Sequence, residues 1–264
     1  MTTKLIDSHC HFDFPPFKDN ELFYLEKARS VGVKKLIIPS VNSSNWETVE
    51  RLSHQYPELY YALGIHPQFL TENDEDDVKK LEVLLANKAN KANKANKCVA
   101  IGECGLDFWN QEYDKKHQMN VFKMQCKLAV KYELPLIIHS RKSHDVVLKI
   151  LREIKPLKGG VIHGFSGSTQ QAEAFIKLGF FIGVGGVISY ERSMKTKRTI
   201  SELPLEWLML ETDAPDMPLS GFQGTPNSPD KVSNILECLI LIRKEPRETI
   251  ANAVYRNANH LFGI

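Results

Sequence analysis

Short apolar runs alternate with helical patterns along the whole chain, and this alternation is what most restricts its fold. Eight runs have the length and apolarity of buried strands, at residues 4–8, 35–40, 59–67, 98–107, 134–141, 159–167, 179–186 and 205–215. The intervening segments predict helices at residues 20–31, 43–55, 75–96, 112–132, 143–154, 168–178, 191–202, 229–242 and 246–261.

Eight such strand–helix units imply a parallel sheet that is covered by helices. In a chain of 264 residues, eight repeats predict closure into a (β/α)8 TIM barrel. An open doubly wound sheet is the alternative, but the glycine-rich dinucleotide fingerprint typical of its Rossmann form is missing. No interdomain linker is visible, so we expect residues 1–264 to form a single domain.

Composition and charge exclude little but point away from membranes. A formal net charge of +2 creates no overall field that favours nucleic acid or a membrane surface. The N-terminal apolar run is too short for a signal peptide, and we see no transmembrane segment. The five cysteines are odd in number and form no CxxC, which predicts reduced thiols in the cytoplasm. We expect Cys10 and Cys104 to be small buried residues that face away from any site.

The segment ANKANKANKANK at residues 86–97 repeats one triplet four times. A period of three does not hold one face of a helix, and asparagine is a mediocre helix former. We interpret the segment as an exposed extension of the third helix. A basic patch for nucleic acid is the alternative, but no aromatic residue is interleaved with the lysines.

Polar side chains that can bind metals follow the predicted strands one after another. LIDSHCHFD places Asp7, His9 and His11 at alternate positions, which face the same way in a strand. The carboxyl ends of barrel strands converge on one rim, where active sites of this fold lie. We therefore expect one site from these residues and from those that end later runs: His66, Glu103, Asp107, His139, Arg141, His163, Glu211 and Asp213.

Imidazoles and carboxylates indicate a divalent metal. They suit Zn, Mn, Fe, Co or Ni, with Mg tolerated, and the lack of cysteine ligands argues against a structural zinc site. A single catalytic metal usually takes three protein ligands, whereas two ions about 3.5–4 Å apart would use six if they shared a carboxylate. The six strongest candidates are His9, His11, Glu103, His139, His163 and Asp213.

The ordered motifs DSHCHFD, GIHP, IGECGLD, IHSR, HGFSG and ETDAP resemble those of the TatD-type metal-dependent hydrolases in the amidohydrolase superfamily. The resemblance runs from residue 6 to about residue 230. It implies a TIM barrel with one or two divalent ions, Zn, Mn or Mg. It also implies that Glu103 bridges the two, in the place of a carbamylated lysine, and that Asp213 orients or deprotonates the attacking water. The implied ligands are His9, His11, Glu103 and Asp213 for one metal, and Glu103, His139 and His163 for the other.

One segment departs from the pattern of many nuclease members, which carry a basic stretch after the last ligand. Here SGFQGTPNSPDK has no Arg or Lys before Lys231 and resembles the YjjV-like subgroup. This departure weakens the prediction that DNA is the substrate, but it does not affect the predicted metal ligands.

Two residues are expected to face substrate. His66 precedes Pro67, which stiffens the turn, and a structural role is its alternative. Arg141 should share the face of His139, where its fork of donors suits a phosphate, although an ion pair is nearly as compatible. Asp107 and Glu211 are expected to orient the ligands.

These observations predict a metal-dependent phosphodiesterase, a deoxyribonuclease that acts on DNA ends or on another phosphodiester through activated water. A deacylase or amidase is the alternative, because the same water attacks a carbonyl carbon. A non-catalytic metal-binding module is the third possibility. We expect no membrane association and no obligate protein partner.

Overall fold

A computed structural model describes residues 3–90, 96–109 and 114–264. Within this part of the chain, eight parallel strands pair in chain order. Beyond β8 the circle is closed by backbone bonds from Ser8 N to Leu210 O, at 3.0 Å, and from His11 N to Ala214 O, at 2.7 Å. The fold is thus the predicted (β/α)8 TIM barrel. Its strands are β1 Leu5–Asp7, β2 Val33–Pro39, β3 Leu59–Leu63, β4 Cys98–Asp107, β5 Leu136–Arg141, β6 Gly160–Ile162, β7 Phe180–Val184 and β8 Leu208–Leu210.

Helices cover the outside of the barrel, and the last one closes its floor. Ala258 and Phe262 of α9 pack with side chains that the strands point inward. The described helix candidates lie where the pattern predicted them, but residues 91–95 and 110–113, in the third and fourth candidates, fall outside the described residues. The helices are α1 Glu21–Ser30, α2 Trp46–Gln55, α3 Asp74–Asn90, α4 Lys115–Lys131, α5 His144–Ile154, α6 Thr169–Ile176, α7 Met194–Glu202, α8 Val232–Ile242 and α9 Arg247–Phe262.

Local chemistry explains several helix ends. Asp114 caps α4 by accepting hydrogen bonds from the backbone N–H of Lys116 and His117. Ser168 and Gln171 form a reciprocal capping box at the start of α6. Each device satisfies backbone donors that a helix start leaves free, so these ends are fixed by a few adjacent residues.

The core has two layers. Inside the barrel, Ile6, Ile37, Ile137, Val161 and Met209 pack with one another and with α9. A larger layer joins the outward faces of the strands to the helices, and it contains Cys10 and Cys104, which are buried as predicted. Each fully buried Leu, Ile or Phe contributes about 1.5–3 kcal/mol, so the strands form a rigid frame for residues at their ends.

The strands are shorter than the apolar runs at several carboxyl ends. The first run covers residues 4–8 but the strand spans Leu5–Asp7, and the last covers 205–215 but the strand spans Leu208–Leu210. In these two cases the chain leaves the strand before His9 and His11, and before Glu211 and Asp213. No helix in the described part of the chain is long and apolar enough to cross a membrane.

Candidate metal centre

A single buried carboxylate lies at the centre of the rim. Glu103 belongs to β4, and its two oxygens contact different sets of imidazoles. Oε2 lies 3.1 Å from His9 Nε2 and 3.3 Å from His11 Nε2. Oε1 lies 2.8 Å from His163 Nε2, 3.1 Å from His139 Nδ1 and 3.2 Å from His66 Nε2. The carboxylate therefore divides the site into two groups, here called the Oε2 group and the Oε1 group.

The Oε2 group combines both ends of the barrel sequence. His9 Nε2 and His11 Nε2 are 3.3 Å apart, and they lie 3.5 and 3.8 Å from Asp213 Oδ1. Backbone bonds hold this arrangement, because Asp213 N donates to His9 O at 2.9 Å. The segments after β1 and β8, about two hundred residues apart in sequence, thus supply the first group of candidate ligands.

The Oε1 group comes from the middle of the chain. His139 Nδ1 lies 3.2 Å from His163 Nε2, and both approach Glu103 Oε1. A glycine permits the close approach of β4 and β5, since a Cβ at Gly105 would collide with the carbonyl oxygen of His139. The motif IGECGLD therefore supplies both the central carboxylate and the space for His139 beside it.

His66 belongs to the same group. Sequence reasoning placed it facing the substrate. Its Nε2 lies about as close to Glu103 Oε1 as His139 Nδ1 does, and His66, Glu103 and His139 could together hold an ion. The signal that could have indicated this contact is its position just after β3, the neighbour of β4 in the sheet.

Asp7 departs from the prediction. Strand alternation put it on the face of His9 and His11, but β1 ends at Asp7. Its carboxylate instead accepts hydrogen bonds from Thr212 N at 2.9 Å and from Thr212 Oγ1 at 2.6 Å. Alternation fails here because it holds only while the chain remains in the strand.

Both groups have the dimensions of metal sites. Ligand atoms around a tetrahedral ion with bonds of about 2.0–2.2 Å are about 3.3–3.6 Å apart. The separations of 2.8–3.8 Å among these nitrogen and oxygen atoms bracket that spacing. Glu103 Oε2 is buried and makes no hydrogen bond, although two imidazoles approach it. Oxygen and nitrogen donors without sulfur suit divalent cations of intermediate hardness.

Comparison with known proteins identifies the family of the chain. Residues 6–263 match the TatD related DNase family. The chain belongs to this family. It is 43% identical over 264 residues to the uncharacterized metal-dependent hydrolase YjjV of Escherichia coli K12, with 100% of both chains covered. The crystal structure of that TatD homologue superposes on this chain with a TM-score of 0.95, and the alignment covers 100% of both chains.

A second relative carries a more specific name. The 3'-5' ssDNA/RNA exonuclease TatD of Pantoea sp. At-9b is 32% identical over 253 residues, covering 93% of this chain and 94% of the relative. The resemblance inferred from the ordered motifs is thereby confirmed, including its likeness to YjjV.

Positive charge at the rim is unevenly shared among the histidines. Burial, with repulsion from His163, lowers the pKa of His9 to about 3, and burial lowers the pKa of His66 to about 4. Burial also acts against the proton on His163, but Glu103 and Asp213 more than offset it and raise the pKa of His163 to about 10. The rings of His9 and His163 stack 4.0 Å apart, so a proton on His163 disfavours a second proton on His9.

The carboxylate of Glu103 stays ionised. Its burial favours the neutral acid, yet His163, His66 and His9 hold its pKa well below the usual range. An ionised carboxylate in this position attracts a cation, either a proton on a neighbouring imidazole or a metal ion. Metal binding at this site therefore competes with protons.

Two acids hold the imidazoles from behind. Asp107 Oδ2 lies 3.1 Å from His139 Nε2, which leaves His139 Nδ1 directed at Glu103. Despite desolvation, the bonds from His139 and the Trp109 backbone lower the pKa of Asp107 to about 2. Glu211 accepts a bond from Gly164 N and lies 3.7 Å from His163 Nδ1, and burial raises its pKa to about 8. Such contacts fix ring orientation and tautomer.

Arg141 lies outside the ligand cluster. It ends β5 and is exposed, and its guanidinium carbon lies 4.4 Å from the ring centroid of Trp109. None of the described acids forms an ion pair with it. The predicted shared face with His139 brings Arg141 to the rim but not into contact with the ligands.

A cavity of about 350 Å³ opens onto the metal centre. Sequence reasoning missed two aromatic residues in its wall, each three positions after a ligand histidine: Phe14 follows His11 and Phe69 follows His66. Each ring packs against that histidine, with centroids 5.7 and 5.6 Å apart. The wall that the structure describes contains no lysine or arginine. Beside the ligands it consists of Phe14, Val41, Gln68, Phe69, Pro215 and Asp216.

Proposed function

We propose that this chain is a metal-dependent phosphodiesterase that hydrolyses DNA or RNA from single-stranded ends. The observation that carries the proposal is the division of Glu103 between two ligand groups on the rim. Paired ions that share a carboxylate suit the displacement of an oxygen at phosphorus. The substrate class is supported by family membership and by the relative named as an exonuclease of ssDNA and RNA.

The site would hold two divalent ions, with Zn, Mn and Mg as candidates. Glu103 belongs to both. When bound, such ions activate water and neutralise charge that develops on the phosphoryl oxygens. The residues proposed for one ion are His9, His11, Glu103 and Asp213. Those proposed for the other are Glu103, His139, His163 and His66.

The protein's own groups divide the remaining work. The Asp213 side chain is 18% exposed, whereas Glu103 is 1% exposed. Asp213 can therefore reach a water in the cavity and take its proton, while Glu103 is confined to holding the two groups in place. Arg141, on the rim beside β4, would contact a phosphate of the substrate outside the cavity.

One observation keeps a second function open. The described cavity wall has no lysine or arginine, so only the ions would match the charge of a phosphate inside it. The same water attacks a carbonyl carbon, which makes a deacylase or amidase the second candidate. A non-catalytic module is disfavoured, because a structural site is closed by its ligands whereas this one opens into a cavity.

We propose further that residues 1–264 act as one domain in the cytoplasm, without a membrane or an obligate protein partner. The five cysteines form no disulfide and four of them are buried, which supports a reducing location.

The test is a substrate panel on metal-reconstituted enzyme. Zn, Mn or Mg is added after chelation, and hydrolysis is measured on single- and double-stranded DNA, RNA, bis-p-nitrophenyl phosphate and acyl esters and amides. Preference for single-stranded ends, lost in His163→Ala, supports the proposal. Turnover of acyl substrates alone favours the second function, and activity that survives His163→Ala identifies a contaminant.

A further inference from the structure

An exposed tryptophan stands beside the metal centre with two cations against it. Trp109 follows β4 by two residues and is 55% exposed. The Arg141 guanidinium carbon lies 4.4 Å from its ring centroid and Lys142 Nζ lies 4.1 Å from it. These three residues are here called the Trp109 cluster.

The cluster is joined to the Oε1 group by one carboxylate. Trp109 N donates to Asp107 Oδ1 at 2.9 Å, and Asp107 Oδ2 lies 3.1 Å from His139 Nε2. Phe108 N donates to Arg141 O at 2.9 Å, which ties the two strand ends together. The cluster is therefore built on the same strand ends as the ligand His139, one step further out on the rim.

Two features of the cluster lower the stability of the folded protein, so stability does not explain them. Neither Arg141 nor Lys142 forms an ion pair within the parts of the chain that are described, so no acid in these parts offsets their two adjacent positive charges. Lys142 also adopts φ 55°, a left-handed conformation that a side chain with a Cβ disfavours. Strain of this kind concentrates at functional positions.

We propose that the Trp109 cluster binds the nucleotide next to the scissile phosphodiester. The indole stacks on its base, and Arg141 and Lys142 contact its phosphate. Aromatic platforms flanked by cations bind single strands without reading sequence, because every base has a stacking face. A paired base in a duplex does not offer that face, so the cluster would favour single strands. This inference rests on the proposed nuclease function.

Fluorescence tests binding directly. The chain has three tryptophans: Trp46 is buried, and Trp207 packs on Phe181 at the opposite end of the barrel. We expect phosphorothioate oligothymidylate, which resists hydrolysis, to quench the emission of metal-loaded enzyme saturably. Trp109→Phe should abolish the quench, whereas the matched control Trp207→Phe should keep it. Unchanged quenching in Trp109→Phe, or quenching by anionic vesicles but not by the oligonucleotide, would overturn the proposal.

Kinetics test the role in catalysis. Loss of one stacked base should raise the KM for a single-stranded oligonucleotide about tenfold in Trp109→Ala with kcat nearly unchanged. The small substrate bis-p-nitrophenyl phosphate does not extend to the cluster, so its kcat/KM should stay within about twofold. An equal loss on both substrates would show that Trp109 only supports Asp107 and His139, and this would sink the inference.

The two hypotheses fail in different ways. If wild-type enzyme hydrolyses no phosphodiester, the proposed function fails, and fluorescence alone then decides whether the cluster binds single strands. If wild-type enzyme hydrolyses oligonucleotides and Trp109→Ala matches it in KM, the nuclease function stands and the cluster does not.

Discussion

The two ends of the barrel are both buried, but they are built from opposite chemistry. At the amino end, Ile6, Val161 and Phe262 fill the space with apolar atoms. At the carboxyl end, Glu103 and His9 are as deeply buried, and one polar side-chain atom of each has no hydrogen bond. Burial of apolar groups stabilises a fold, whereas burial of charge opposes it unless partners compensate. Apolar burial at the amino end therefore offsets the free-energy cost of burying polar groups at the carboxyl end.

Single strands show how the two ends are connected. On β5, Ile137 points into the apolar interior and His139, two residues later, points to the ligands. The same spacing relates Val161 to His163. In both segments a side chain of the apolar interior is followed, two residues later, by a histidine of the rim. Substitutions at the two ends can therefore be compared for their effects on stability and on activity.

The largest effect should come from the bridging acid. Glu103→Gln removes the charge that both ligand groups share, so we expect phosphodiesterase activity to fall by about 10³-fold or more. Metal analysis should show a loss of bound ions, and thermal unfolding should change little. Glu82→Gln, an exposed acid that pairs with Lys131, is the control. Full metal content and activity in Glu103→Gln would refute the division of the rim into two groups.

The opposite outcome is expected at the floor. Phe262→Ala removes a buried ring from the α9 contact and should lower the free energy of unfolding by about 3 kcal/mol. Denaturant titration measures this, and kcat/KM of the folded enzyme should stay within about twofold. Leu241→Ala on exposed α8 surface should leave both unchanged. A catalytic loss in folded Phe262→Ala would show that the two ends are coupled.

A smaller loss of metal affinity or activity should follow when the acid that orients His139 is changed. In Asp107→Asn the amide holds His139 without the charge of the carboxylate, and we expect metal affinity or activity to fall by about 10- to 100-fold. Metal titration followed by activity measures this. Asp114→Asn, a helix cap remote from the ligands, is the matched control. Equal metal affinity in Asp107→Asn and wild type would contradict the role assigned to Asp107.

The smallest effect is expected from two substitutions that relieve backbone strain, only one of which lies near the proposed substrate. Lys142→Gly and Lys155→Gly each relieve a left-handed backbone, and each should raise the free energy of unfolding by up to about 1 kcal/mol. Lys155 caps the far end of α5, so only Lys142→Gly should weaken binding of a single-stranded oligonucleotide. Equal binding by the two variants would mean that strain at Lys142 has no part in substrate recognition.

The sequence by itself determined the architecture and the family. The eight runs, the helices between them and the ordered motifs depend on local periodicity and residue type, which persist whatever the chain packs against. The six strongest ligand candidates could be chosen for the same reason, since each follows an apolar run that had to be a strand.

Only the tertiary structure decided how those residues meet. It assigned a different set of imidazoles to each oxygen of Glu103, brought His66 among them, turned Asp7 to Thr212 and stacked Arg141 on Trp109. All four outcomes arise in the carboxyl-terminal half of a strand or in the loop that follows it. There the direction of a side chain depends on loop backbone and on contacts between residues far apart in sequence, and periodicity carries no information about either.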